Sequence, residues 1–466
     1  MEDSDPWEIH NDEPALFDGL KRKELVEQIA EKVATCTPPR VFGIHGPWGT
    51  GKTSFLCQLQ LCLTGNCPQR IIETEEEAQN LEKNWRNDRY KKINVIWFEA
   101  WRYQYDTTPI VALLQEIRTQ LSWTQGIFNQ AKKTLDIAFQ SALINIENLT
   151  KLIGVNPTNI QKSGKKWEKE HFTETLPSHV IRGLLKKSIE DLIGREGNRL
   201  VVLIDDLDRC EPEAAFRLLE GIKIYLNLPN CVFVLGMDQR LIQRAIAKNM
   251  PQNDIVLFGN EEESKNFLHK QEYARQLLAK EYLEKICQDI RHIGTLPEPT
   301  RKDYFQSLFG NPHGFDKIID VIKNSSFLPP NARKIKAFSN KLKEHLQKLG
   351  PEYWSNKNIE EQKKIASAII ILTNLSLFHH EVYERLQDNP RFYNKIFDFA
   401  KSGQSDHPVL KNLKGTKIDI SDTPDTHILK DIFPSPSDIN VLRVQELIKT
   451  HGPIVETELN EYLENI

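Results

Sequence analysis

The sequence predicts an α/β protein: a parallel sheet covered by helices on both faces, with a helical insertion and a separate C-terminal helical bundle. Three observations carry that reading. Between residues 41 and 296, short apolar runs of strand length alternate with amphipathic helical stretches. The first apolar run opens into a glycine-rich loop and then a helix. From Asn331 onward the apolar spacing is helical only.

Residues 1–15 are polar and read as a flexible N-terminal segment. Residues 20–34 place Leu25, Val26, Ile29 and Val33 on one helical face, and Pro38 and Pro39 end that helix. VFGIH, residues 41–45, is a buried strand; GPWGTGKTS is the loop after it, and SFLCQLQLCL the next helix. The polar stretch 65–92 is a loop or an exposed helix. NVIWFEAW, residues 94–101, is the second strand, with a helix over 108–121. Residues 125–195 form a long polar insertion, with helical patterns at 127–153 and 180–193 around a mixed-charge stretch at 161–171. LVVLIDD, residues 200–206, and CVFVLGMD, residues 231–238, are the third and fourth strands, with a helix over 213–228 between them. A helix around 272–286 leads to a short fifth strand at 289–296. Helices follow at 332–349, 359–377 and 380–399, then a linker over 402–438 and a last helical stretch at 440–466. The domains expected are a core at 16–124 and 196–300, the insertion at 125–195, a lid at 301–401, and a linker with a C-terminal helical segment at 402–466.

Composition narrows the class. The 466 residues are 39% hydrophobic and 27% charged with a net charge of −4, which fits a globular protein and shows no basic excess for nucleic acid. Cys36, Cys57, Cys62, Cys67, Cys210, Cys231 and Cys287 are odd in number and scattered, as expected for reduced thiols in a cytoplasmic protein. The acidic N-terminus is no secretory signal, and no stretch reaches the roughly 18 to 20 apolar residues of a membrane helix. The nearest, 365–378, reads as a buried helix.

The chemistry lies at the strand ends. Gly46-Pro47-Trp48-Gly49-Thr50-Gly51-Lys52-Thr53 matches G-x-x-x-x-G-K-[ST], between a strand and a helix as that motif requires. Its glycines let the backbone wrap phosphate oxygens, and N–H groups from Gly49 to Thr53 point inward at a helix N-terminus. Lys52 would meet the outer phosphates, Thr53 would ligate magnesium, and Ser54 would face the inner phosphate. Val201 to Asp206 is an apolar strand ending in two acids, at the sheet edge where open α/β sheets bind ligands. Asp205 is expected to hold magnesium, and Asp206 to polarise the attacking water. Arg209 either neutralises charge on the transferring phosphate or pairs with Asp208. Asp238, ending the fourth strand, is a candidate sensor of the terminal phosphate, with Arg240 and Arg333 as alternatives. Trp48, Trp97 and Trp101 read as packing residues rather than base-stacking positions.

With these residues in place, the chain resembles the KAP family of P-loop NTPases. GPWGTGKTS, WFEAWRY (97–103), VVLIDDLDRC (201–210), CVFVLGMDQRLI (231–242), YLEKICQ (282–288) and NARKIKAF (331–338) carry the resemblance. Glu99 departs from it, standing where the family usually has Asn. The polar insertion resembles that of soluble bacterial members, which include PifA-like phage-exclusion proteins and Qat-type defence ATPases. The resemblance implies a sheet of the additional-strand (ASCE/STAND-like) type with a helical lid. It also implies ATP as nucleotide, and a homo-oligomer or a partner protein of the same defence system. Two further readings share these motifs: a slow nucleotide-dependent switch, and a translocase stimulated by nucleic acid. A kinase ranks last, because no second motif is present to hold an acceptor.

Overall fold

The computed structural model describes residues 7–66, 93–106, 109–124, 198–225, 230–249, 264–310, 315–325, 327–350, 357–402, 451–454 and 456–465, with single positions 85, 90, 183, 186, 189, 190, 353, 448 and 449. The helical patterns at 127–153 and 180–193 (bar positions 183, 186, 189 and 190), the charged stretch 161–171, Cys67 and the linker from 403 lie outside the described residues. The chain divides into two compact units. A sheet unit comprises Pro14–Asp18 and Arg22–Gly294, and a helical unit Met1–Glu13, Gly19–Lys21 and Thr295–Ile466.

Five strands form the sheet: β1 (Arg40–His45), β2 (Ile93–Glu99), β3 (Arg199–Asp205), β4 (Cys231–Met237) and β5 (Asp289–His292). All pair in parallel, in the order β2-β3-β4-β1-β5. The two most continuous apolar runs, β3 and β4, are interior because both their faces are covered. Leu200, Val202 and Ile204 of β3 join one core with Phe233 and Leu235 of β4, while Val201 and Leu203 join another with Val232 and Val234. That two-residue alternation fixes register, since a one-residue slip would exchange the faces.

Helices α1 (Lys23–Thr35) and α2 (Lys52–Thr64) cover one face. The other carries α3 (Pro109–Thr124), α4 (Pro212–Tyr225), α5 (Gln239–Asn249) and α6 (Ser264–Ile286). Each fully buried Leu, Ile or Val contributes about 1.5–3 kcal/mol, so the sandwiched sheet is a rigid base for its loops. Helix α1 starts later than residue 20 because Asp18 accepts the N–H groups of Arg22 and Lys23, at 2.6 and 3.0 Å. Strand β5 ends at His292 rather than 296, and an irregular segment leads to Pro297, the N-cap of the next helix.

The helical unit contains α7 (Glu298–Phe309), α8 (Asp316–Lys323), α9 (Ala332–Leu349), α10 (Ile359–Phe378), α11 (His380–Asp388), α12 (Phe392–Ser402) and α13 (Glu456–Asn465). The sequence predicts one helix over 380–399, but Pro390 breaks it, because a proline inside a helix removes a donor and clashes with the preceding turn. Helices α5, α7 and α8 are additions to the elements the sequence predicts. Helix α10 buries Ile365, Ala366 and every residue from Ala368 to Leu375, as expected of a core helix, and a capping box of Asn358 and Glu361 starts it. No single helix among the described residues is long and apolar enough to cross a membrane; α10 and α11 together pass by length and composition only, bent by 120°.

Residues 7–13, which the sequence suggests are a loose tail, make specific contacts with α9. Lys343 Nζ donates to the Glu8 carbonyl at 2.8 Å, and Lys336 Nζ to the Asn11 carbonyl at 2.6 Å. Asn340 brackets His10, accepting its N–H and donating to its carbonyl. Positions 336, 340 and 343 share one helical face, which is why a single extended segment meets them all.

Candidate functional site

The loop after β1 takes its shape from glycine. Gly49 and Gly51 have φ of 78° and 85°, a region that L side chains rarely adopt. Gly51 is the N-cap of α2 and offers no side chain to the first-turn N–H groups. These donors, at the positive end of the helix dipole, form an anion site. Arg22 braces the loop from behind, donating to the carbonyls of Thr50 at 2.5 Å and Gly294 at 3.2 Å. Burial lowers its pKa to about 10, which leaves it charged at neutral pH. Thr50 Oγ1 closes the turn by donating to the Pro47 carbonyl at 2.7 Å. Ser54 Oγ accepts the Ala15 N–H at 3.1 Å, and its own hydroxyl hydrogen remains a donor.

Lys52 is buried, its ammonium 2.9 Å from the Gly46 carbonyl and 3.2 Å from Asp208 Oδ2. Asp208 also accepts the Trp48 indole N–H at 2.8 Å. Trp48 is 54% exposed and Trp101 42%, so packing does not account for them as the sequence suggests; Trp97 alone of the three packs against the core.

The acids follow β3. Asp205 lies opposite Glu99 in the β2–β3 register. Its pKa is raised to about 6, first by burial and then by the charge of Asp206, against a hydrogen bond from Thr53 and the charge of Lys52. Its Oδ1 is buried without a hydrogen-bond partner among the described residues. Asp206 turns the chain in the left-handed region, φ 56°, and pairs with Arg209 at 2.8 Å. The sequence suggests Asp208 as the structural partner of Arg209; the turn directs Arg209 to Asp206 instead.

At the end of β4, Asp238 caps α5 and binds Arg240. Its Oδ1 accepts the Arg240 backbone N–H at 3.0 Å, and its Oδ2 the guanidinium at 2.8 Å. Burial would raise this carboxyl, but the Arg240 bonds outweigh it and hold the pKa low. His45 Nδ1 accepts the Gln239 N–H at 2.8 Å, which requires the neutral ring, and burial lowers its pKa accordingly. Glu99 is buried and ion-paired with Arg102. Arg333 belongs to the helical unit, where it pairs with Asp12 at 2.8 Å. The structure therefore gathers Gly46 to Ser54, Asp205, Asp206, Arg209 and Asp238 within the sheet unit. It adds three residues to which the sequence assigns no site role: Arg22, His45 and Asp208. Only Asp208, within the acidic motif, carries a visible signal.

Strand β4 lies between β1, which feeds the loop, and β3, which carries the acids. That inserted strand is the additional-strand arrangement implied by the family resemblance. The model for the KAP family P-loop domain matches residues 22–271, more than half of the chain. The chain belongs to the KAP family. Its P-loop domain is a nucleotide-binding NTPase domain. The match ends before YLEKICQ and NARKIKAF, two stretches that also resemble the family. A search of curated proteins finds no match.

Proposed function

We propose that this KAP protein binds ATP with magnesium and hydrolyses it, using the energy for conformational change and assembly. One observation supports the magnesium reading above the others. The basic residues along this sheet edge are matched by acids: Lys52 to Asp208, Arg102 to Glu99, Arg209 to Asp206, and Arg240 to Asp238. Asp205 has no such ion pair among the described residues, and one buried oxygen is unpartnered. A buried carboxylate left in that state calls for a cation. Magnesium draws most of its ligands from phosphate and water, so few protein ligands are needed. Asp205 and Thr53 would hold it, and bound there it would neutralise phosphate charge.

In this reading the chain's own groups position and neutralise. The α2 N-terminus and Lys52 bind phosphates, Asp206 orients the attacking water, and Arg209, on the same turn, can move from Asp206 to the transferring phosphate. Asp238 or Arg240 would sense the terminal phosphate. The resemblance to soluble bacterial members of the family supports a role in antiphage defence, with a homo-oligomer or a partner protein of the same system. The slow-switch reading is favoured by one feature: Asp206 and Lys52 are both tied up by ion pairs in this state.

The test is steady-state ATP turnover beside Lys52→Ala and Asp206→Asn. Lys52→Ala should lose tight nucleotide binding, and Asp206→Asn should bind but not turn over. Several ATP per minute in wild type supports an ATPase motor; tight binding with little turnover supports the switch. Turnover by Lys52→Ala equal to wild type would show that the site lies elsewhere.

A further inference from the structure

Lys52 does not extend out of its loop. Its ammonium lies 2.9 Å from the Gly46 carbonyl, 3.5 Å from the Pro47 carbonyl and 3.2 Å from Asp208 Oδ2. An ammonium has three donors, and these acceptors engage all of them. Asp208 depends on this arrangement as much as Lys52 does. Its side chain is 1% exposed, and Lys52 is its ion-pair partner. Its Oδ2 is shared with the Trp48 indole, and its Oδ1 is buried with no hydrogen bond among the described residues.

A phosphate chain entering the loop needs the same ammonium. Taking it would leave Asp208 buried without its counter-ion, beside a new polyanion, which is an unfavourable state. Asp208 and phosphate are therefore rival anions for one cation. The rivalry also reaches the hydrolytic residues, because Asp208 lies on the short Leu207–Arg209 turn that carries Arg209 to Asp206.

We infer that Asp208 is a latch on Lys52: a positioning residue that holds the ammonium inside the loop until nucleotide displaces it, with the Trp48 indole reporting the handover. The inference rests on the nucleotide-binding reading above. It differs in sign from a supporting role. If Asp208 only braced the loop, neutralising it would weaken nucleotide binding. A latch that is neutralised lets nucleotide bind more tightly.

Asp208→Asn separates the two, since asparagine keeps the size and an acceptor for Trp48 while removing the charge. Titration of the full chain with Mg-ATP should show binding tightened roughly 5- to 150-fold, the usual range of coupling between linked sites. Unchanged or weaker binding would overturn the latch. A second readout uses fluorescence. The chain has eight tryptophans, so the Trp48 signal is taken as the difference from Trp48→Phe. ATP should change that signal in wild type, and the change should shrink in Asp208→Asn. If Asp208→Asn does not fold, wild type still decides: ATP must change Trp48 emission and adenosine, which lacks phosphate, must not. Lys52→Ala distinguishes the two levels of failure. Lost ATP binding in Lys52→Ala with no tightening in Asp208→Asn removes the latch alone, whereas undiminished binding in Lys52→Ala removes the nucleotide reading and the latch with it.

Discussion

Replacing Asp205 by asparagine should make the nucleotide-free protein more stable at neutral pH. The carboxyl is 1% exposed, and burial with the neighbouring Asp206 charge raises its pKa from 3.8 to about 6. Because the folded pKa lies above the unfolded one, the folded state retains a proton that the unfolded state has released. Stability therefore falls as pH rises from about 4 to about 6, and the loss persists above that window. At about 1.4 kcal/mol per unit, the full loss is about 3 kcal/mol. Asparagine cannot ionise, so it escapes this loss while still accepting the Thr53 hydroxyl. Urea unfolding in chelator should show the variant ahead by about 3 kcal/mol at pH 8, with the gap closing toward pH 4. Adding Mg-ATP should stabilise wild type more than the variant, because only wild type offers the anionic ligand. A variant less stable at pH 8, or a gap independent of pH, would refute the argument that Asp205 is a strained, cation-seeking carboxylate.

Gly236→Ala should impair the same position from the neighbouring strand. Its added Cβ would lie 2.9 Å from Leu56 Cδ1 and 3.0 Å from Asp205 Oδ1, costing about 1–3 kcal/mol in a thermal melt and lowering turnover. Arg22→Met should weaken ATP binding in calorimetry and cost about 1–3 kcal/mol, since the Thr50 carbonyl loses a buried donor. Asn358→Ala removes the capping box of α10 and should cost about 1 kcal/mol of stability.

The sheet is legible in the sequence because its strands are buried on both faces. LVVLI and CVFVL are uninterrupted apolar runs of strand length that lead to acids, Asp205 and Asp238. Helices α9 and α10 are equally plain, since both are long and both start at an asparagine cap. What escapes is short or locally ambiguous. Helix α8 has only eight residues, with Ile318, Ile319 and Ile322 as its buried face, too few to establish a period. Helix α7 begins at a proline-rich junction that looks like loop, and Pro390 lies inside an otherwise continuous helical pattern.

The site divides along the same line. Residues whose role follows from a fixed spacing, from Gly46 to Ser54 and the Asp205–Asp206 pair, can be named without coordinates. Pairings between residues far apart in sequence cannot. Lys52 and Asp208 are brought together by strand order, because β3 and its turn lie one strand away from β1. Arg22 reaches Thr50 only because α1 packs beside α2. The resting charge state combines one such long-range pair, Lys52–Asp208, with three local ones, Arg102–Glu99, Arg209–Asp206 and Arg240–Asp238, and leaves Asp205 without an ion pair among the described residues. A magnesium nucleotide would supply what Asp205 lacks, and it would also compete for Lys52 and Arg209. On the proposed reading, binding would break the Lys52–Asp208 and Arg209–Asp206 pairs before the attacking water could be oriented. On the same reading basal turnover would be slow, because Arg209 starts paired with Asp206.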